Sequence, residues 1–248
     1  MRFAILGTVL LAAAAASPAN AQTPPPAPAV ERTVVASAKL SELGATAVYF
    51  CALGVTIPAG ATSPIAASPN GILYQLEGST EIAAGSETKT LAPGEGYFLA
   101  GGRDAVLKAA GSAPSRALHF LLLPAAALDK PVESKPAAVT ELYRTPAPIP
   151  DLKPGSYDIN LTRVTFPPHM PTNPPHHRSG AALYYIVSGS GANIVAGATT
   201  IRGPEALIYE PSSLVHQWGN PSNQPWTFLA FNINPDGMPA VVMETPPK

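Results

Sequence analysis

The chain has 248 residues, 12% of them charged, with a formal net charge of −1 at pH 7. No basic run is available to neutralise phosphates, which excludes nucleic acid as a partner class, and 46% hydrophobic residues exclude a disordered chain. Thirty prolines and twenty glycines predict short strands and many turns, because proline is poorly tolerated inside helices and central strands.

The first segment reads as a targeting signal. Met1-Arg2 carries one positive charge, Phe3 to Ala16 is apolar apart from Gly7 and Thr8, and Ala19-Asn20-Ala21 has the small-x-small pattern of a cleavage site. A leader over 1–21 is expected, with a mature chain starting at Gln22 and exported to the periplasm or beyond. A membrane-spanning helix needs about 20 apolar residues. This run is shorter and is broken by Ser17-Pro18, so no stable membrane insertion of the mature chain is expected.

Thr23-Pro24-Pro25-Pro26-Ala27-Pro28 predicts an extended spacer over 22–33. A strand-rich domain is expected over 34–124. It contains Cys51, whose single thiol cannot form an internal disulfide and reads as a small buried hydrophobe. An Ala- and Pro-rich connector follows over 125–150, with Pro131 and Pro136, room for one helical turn, and the run Thr145 to Pro150 at its end. A second strand-rich domain over 151–240 and a tail over 241–248 complete the chain.

The two domains repeat one another. Tyr74-Gln75-Leu76-Glu77-Gly78 matches Tyr185-Ile186-Val187-Ser188-Gly189, in each case an apolar strand ending in glycine. Gly94 to Leu99 matches Glu205 to Glu210 at the same offset, and Thr56 to Gly60 matches Thr165 to His169 with a slight slip. A repeat of this length is a domain's worth, so two all-β domains of like architecture are expected.

In the second half, Pro211, His216 and Asn220, with Ser213 where a glycine is usual, resemble the second motif of the cupin superfamily. His176 to Gly189 resembles the first motif, an H-x-H pair followed by a glutamate and a glycine. The chain is thus identified as similar to a bicupin, which implies two tandem jelly-roll β-barrels. Alternation along a strand sends both imidazoles of H-x-H into one barrel mouth. There the family's ligand set suits a divalent transition metal such as Fe, Mn, Ni, Cu or Zn.

The sequence departs from that pattern. Ala182 stands at the glutamate position. The shorter motif spacing makes the pair His176 and Arg178, and the longer makes it Pro175 and His177. The frame with His176 inward is favoured, since Arg178 with Ser179-Gly180 then occupies the usual turn. Four of the five histidines, His169, His176, His177 and His216, fall at the expected mouth of the second barrel. The candidate metal ligands are therefore His176 and His216, joined by His169 or His177. Arg178, Tyr185 and Trp218 are candidates for substrate binding, with Tyr184 and Trp226 as further candidate pocket aromatics.

The first half carries Ile65, Ala66, Ala67 and Gly71 at its first motif, and Ala105 and Ala109 at its second. The first barrel is expected to be a scaffold, with His119 a lone structural histidine. No catalytic nucleophile is legible: Gly189-Ser190-Gly191 lacks the nucleophile-elbow spacing. Two functions stay open. One is a metal-dependent oxygenase or isomerase acting on a small organic molecule. The other is a non-catalytic bicupin that binds a small molecule. The sequence leaves the substrate and the oligomeric state undetermined.

Overall fold

The computed structural model describes residues 29–43, 46–130, 132 and 135–244. The expected leader and most of the spacer lie outside the described residues. The first half contributes β1 (Glu31–Leu43), β2 (Val48–Ile57), β3 (Thr62–Ser68), β4 (Asn70–Glu77), β5 (Thr80–Ala84), β6 (Glu87–Leu91), β7 (Gly96–Leu99), β8 (Arg103–Ala109) and β9 (Ser115–Pro124). A single 3-10 turn at Ala125–Ala127 and β10 (Ala138–Arg144) follow. The second half contributes β11 (Gly155–Phe166), β12 (His176–Arg178), β13 (Ala181–Ser188), β14 (Gly191–Val195), β15 (Ala198–Arg202), β16 (Leu207–Glu210), β17 (His216–Gly219), β18 (Trp226–Pro235) and β19 (Val241–Met243). Among the described residues no helix is long and apolar enough to cross a membrane.

Each half builds two facing sheets. The first has the strand orders β10-β2-β9-β4-β7 and β3-β8-β5-β6; the second has β1-β11-β18-β13-β16 and β15-β14-β17-β12-β19. The orders correspond strand for strand, with β19 an addition at one edge. The register corresponds as well. Ile65 pairs with Ala105 as His176 pairs with His216, and Gly71 pairs with Leu99 as Ala182 pairs with Glu210. Both repeats turn at an equivalent glycine with positive φ, +68° at Gly78 and +70° at Gly189. A Cβ at either would lie within 2.5 Å of a proline carbonyl oxygen, so only glycine fits both the backbone angle and the close approach.

The chain crosses the boundaries expected from sequence at three places. Residues 34–43, expected in the first barrel, belong to β1, which pairs with β11 of the second. Ala138–Arg144, expected in the connector, is β10 and pairs with β2 of the first barrel. Val241–Met243, expected in the tail, pairs with β12 as β19. The physical reason is shared: β2, β11 and β12 would otherwise end their sheets with unpaired N–H and C=O groups, and a flanking segment covers each row.

Side-chain alternation then sorts the apolar residues into three cores. On β9, Ala117, Leu121 and Leu123 face the lumen of the first barrel, while Leu118, Phe120 and Leu122 face the second barrel. On β18, Phe228 and Ala230 face the second lumen, while Leu229, Phe231 and Ile233 face the first barrel. Both faces are buried, which is why these strands read as continuous apolar runs. The sheet of β2 and β9 packs against that of β11 and β18 through Phe50, Phe120 and Phe231, with ring centroids 5.4 Å apart for Phe50–Phe231 and 5.6 Å for Phe120–Phe231.

The two lumens differ in chemistry. The first is filled by aliphatic side chains and contains Cys51, 2% exposed. The second is lined by Phe166, Tyr184, Trp218, Trp226 and Phe228. His119 is fully buried on β9, where a Cβ on Gly71 would lie 3.0 Å from its Nε2.

Candidate functional site

The alternation of β12 settles the frame of the first motif. His176 and Arg178 are buried on its inner face, and His177 between them points outward. His176 lies opposite His216 with ring centroids 4.3 Å apart. Each imidazole is anchored through Nδ1 to a carbonyl two residues earlier, His176 to Pro174 O at 2.9 Å and His216 to Leu214 O at 2.8 Å. A carbonyl only accepts, so each Nδ1 donates its N–H to that carbonyl, and Nε2 lies at the far edge of each ring.

The carboxylate comes from a residue the motif comparison did not select. Glu210 on β16 pairs across the sheet with Ala182, the empty glutamate position, and is fully buried. Arg178 Nε donates to its Oε2 at 3.1 Å, and Trp218 Nε1 donates to its Oε1 at 2.8 Å. His216 Nε2 approaches Oε2 to 3.0 Å, but without the alignment of a hydrogen bond. The Arg178 guanidinium carbon also sits 5.2 Å from the centroid of the Tyr184 ring. A signal for Glu210 existed in the repeat: its equivalent in the first half is Leu99, so one buried position had changed from apolar to acidic.

Electrostatics follow from this packing. Burial pushes the carboxyl of Glu210 up, but His216, Arg178 and Trp218 together hold it below the usual carboxylate range. Burial is the main cause that lowers the His176 pKa, and the nearby His216 and Arg178 add to it. At neutral pH His176 is therefore an uncharged ring beside a charged Arg178–Glu210 pair.

Of these groups His176, Arg178, Tyr184 and Trp218 line a cavity of about 410 Å³ in the second barrel, with Glu210 behind Arg178 and Trp218. His176, Arg178, Tyr184, Trp218, Phe166 and Phe228 supply its charged and aromatic surfaces, and Asn160, Thr162 and Asn232 supply a polar strip. The Tyr184 hydroxyl and Asn232 Oδ1 are buried without a hydrogen bond to any described residue. Two edge strands complete the cavity, β1 with Arg32 and Val34, and β19 with Val241 and Met243.

Three expected site residues lie elsewhere. His169 is exposed in a turn with φ of 55°, its N–H donating to Ser222 O. His177 is on the outer face of β12, with Nδ1 2.6 Å from Glu244 Oε1. Tyr185 is turned by strand alternation towards the inter-barrel core, where its pKa is raised by burial, and Tyr184 takes the lumen position instead. Trp226 packs in the lumen core. Asn220 clamps a turn, its Nδ2 donating to Pro167 O and Gln224 O at 3.0 and 2.8 Å.

The donor set does not fit the multi-histidine metal centre expected from sequence. Two imidazoles and a carboxylate are in principle a metal-binding combination. Here the carboxylate already accepts from Arg178 and Trp218, and a guanidinium stands beside both imidazoles. Among the described residues no three His, Cys, Asp or Glu side chains are gathered to hold an ion. In the first barrel the positions of His176, Glu210 and His216 are Ile65, Leu99 and Ala105, so both imidazoles and the carboxylate are replaced there.

Comparison with known proteins agrees with this architecture. Residues 162–232 match the Cupin domain family. Among solved structures, AerE from Microcystis aeruginosa aligns with a TM-score of 0.52 at 16% identity, over 73% of this chain and 86% of that one. Salicylate 1,2-dioxygenase from Pseudaminobacter salicylatoxidans aligns at 0.51 and 11% identity, over 72% and 69%. A putative glyoxylate-induced protein from Pseudomonas aeruginosa aligns at 0.52 and 11%, over 81% and 83%. No curated protein matches the chain. At these identities the likeness speaks for the fold alone. The chain thus has a cupin-type fold, with the match to the Cupin domain family in its second barrel and the same strand order repeated in the first.

Proposed function

We propose that the second barrel binds a small organic acid with an aromatic or compact apolar body, and that the first barrel is its scaffold. The observation that carries this reading is Arg178. It is 8% exposed, fixed through Nε by the buried Glu210, and lines an aromatic-walled cavity. A guanidinium held by one edge presents its remaining N–H groups as a fork suited to a carboxylate. Phe166, Phe228 and Trp218 would take the apolar body, and Tyr184 and Asn232 would hydrogen-bond its polar groups. The expected export from a leader over 1–21 belongs to this proposal, and the intact mass of protein recovered from its native host tests it.

The test uses Trp218, which lines the cavity. Phenylacetate and cyclohexanecarboxylate should change tryptophan fluorescence saturably, and their amides should bind at least about tenfold more weakly, because a charge-assisted hydrogen bond contributes roughly 1.5–3 kcal/mol. Equal binding of acids and amides, or no saturable binding of either, would reject the proposal.

The metal-dependent oxygenase or isomerase is the second reading, and the pinned His176–His216 pair favours it. Under that reading the two Nε2 atoms would hold a divalent transition metal, which would supply Lewis-acid or redox chemistry. Protein purified without a histidine tag decides between them. One iron, manganese, nickel, copper or zinc per chain would make the enzyme reading the better one.

A further inference from the structure

We infer that Arg178 is the resident cation of the second barrel: its guanidinium balances Glu210 in place of a metal ion, and the native barrel thereby excludes divalent metals. The inference goes beyond the ligand reading and stands whichever organic anion the cavity takes.

The argument begins with Glu210. A carboxylate with 0% exposure needs a counter-charge and filled lone pairs. Arg178 provides the charge at 3.1 Å, and Trp218 fills the second oxygen at 2.8 Å. Arg178 cannot lose its proton in a protein, so its charge is permanent. It sits two residues beyond His176 on the same inner face of β12. A dication placed between His176 and His216 would meet the same positive field at short range, and would have to take Glu210 from its present donors.

The first barrel supports treating these groups as one device. There Ile65, Ala105 and Leu99 replace both imidazoles and the carboxylate, and the lumen is filled by an aliphatic core.

Cobalt(II) is the probe, read by its visible absorption and by metal content after gel filtration. The native protein should carry less than one-tenth of an equivalent. Arg178→His frees Glu210 and adds an imidazole on the inner face, so it should bind one cobalt per chain at least roughly a hundredfold more tightly. Arg178→Ala leaves the space of the guanidinium open, and its bound cobalt should be displaced by millimolar methylguanidinium. Circular dichroism checks that each variant is folded. One cobalt per native chain, lost in Glu210→Gln, would overturn the inference, and that measurement stands even if a variant fails to fold. Folded Arg178→His and Arg178→Ala that bind no more cobalt than the native protein would overturn it equally.

Discussion

Replacing Glu210 by glutamine keeps the side chain's shape and removes the one charge that holds Arg178 in the barrel wall. Glu210 and Arg178 are both buried, at 0% and 8% exposure, so the guanidinium left behind loses its counter-charge in a largely buried setting. Breaking a buried pair by removing one partner costs about 3–5 kcal/mol. For a domain of this size each kcal/mol lowers Tm by roughly 2–4 °C, so a fall on the order of 10 °C is expected. Removing both charges is a different perturbation. Arg178→Met with Glu210→Leu gives the second barrel the apolar character of the first, and the double variant should lose less stability than Glu210→Gln alone.

The pH dependence has a fixed sign. A carboxylate whose folded pKa lies below its model value of 4.5 contributes stability that is fully present above that value and is lost as pH falls through the folded pKa. The native protein should therefore lose stability more steeply below about pH 5 than Glu210→Gln does. Urea unfolding between pH 3 and pH 8 on the native protein, the single variant and the double variant supplies all the values. A Glu210→Gln loss under about 1 kcal/mol at pH 7, or a double variant less stable than the single, would refute the idea that this pair is one charged unit.

Three more outcomes follow from the packing. Phe231→Ala removes the ring that touches both Phe50 and Phe120, and should cost about 3–5 kcal/mol in thermal unfolding while leaving acid binding within twofold. Gly191→Ala would place a Cβ 2.5 Å from the Trp226 ring, so the indole must shift; a loss of about 1–3 kcal/mol and a changed near-ultraviolet circular dichroism spectrum are expected. Glu244→Gln breaks only a half-exposed contact with His177, so it should cost less than about 1 kcal/mol while speeding hydrogen exchange in β19.

The sequence made legible what rests on local pattern. Glycine-terminated apolar runs gave the strands, and the match of Tyr74–Gly78 to Tyr185–Gly189 anticipated the register in which Gly71 and Ala182 hold equivalent places. His176, His216 and Arg178 were also within reach, since the motif spacing and strand alternation put them on inner faces, and Trp218 stood among the candidate pocket aromatics. What stayed hidden depends on pairing between distant strands. Glu210 meets Ala182 only because β16 lies beside β13, whereas the motif's own glutamate position on β13 holds alanine. His169 and His177 looked like partners because they are close in sequence, but one lies in an exposed turn and the other on the outer face of β12. The borrowed strands β1 and β10 were missed for a related reason. Their own side chains are mostly exposed or half-exposed, so their strand character comes from covering a neighbour's open edge rather than from an apolar pattern.

A crystal structure of the native protein soaked with phenylacetate tests the central claim most directly. The account predicts the carboxylate in the second barrel, within hydrogen-bond distance of an Arg178 amino group, with the ring against Phe228 or Trp218 and the Arg178–Glu210 pair intact. A metal ion seated between His176, His216 and Glu210, or phenylacetate bound outside this cavity alone, would contradict it.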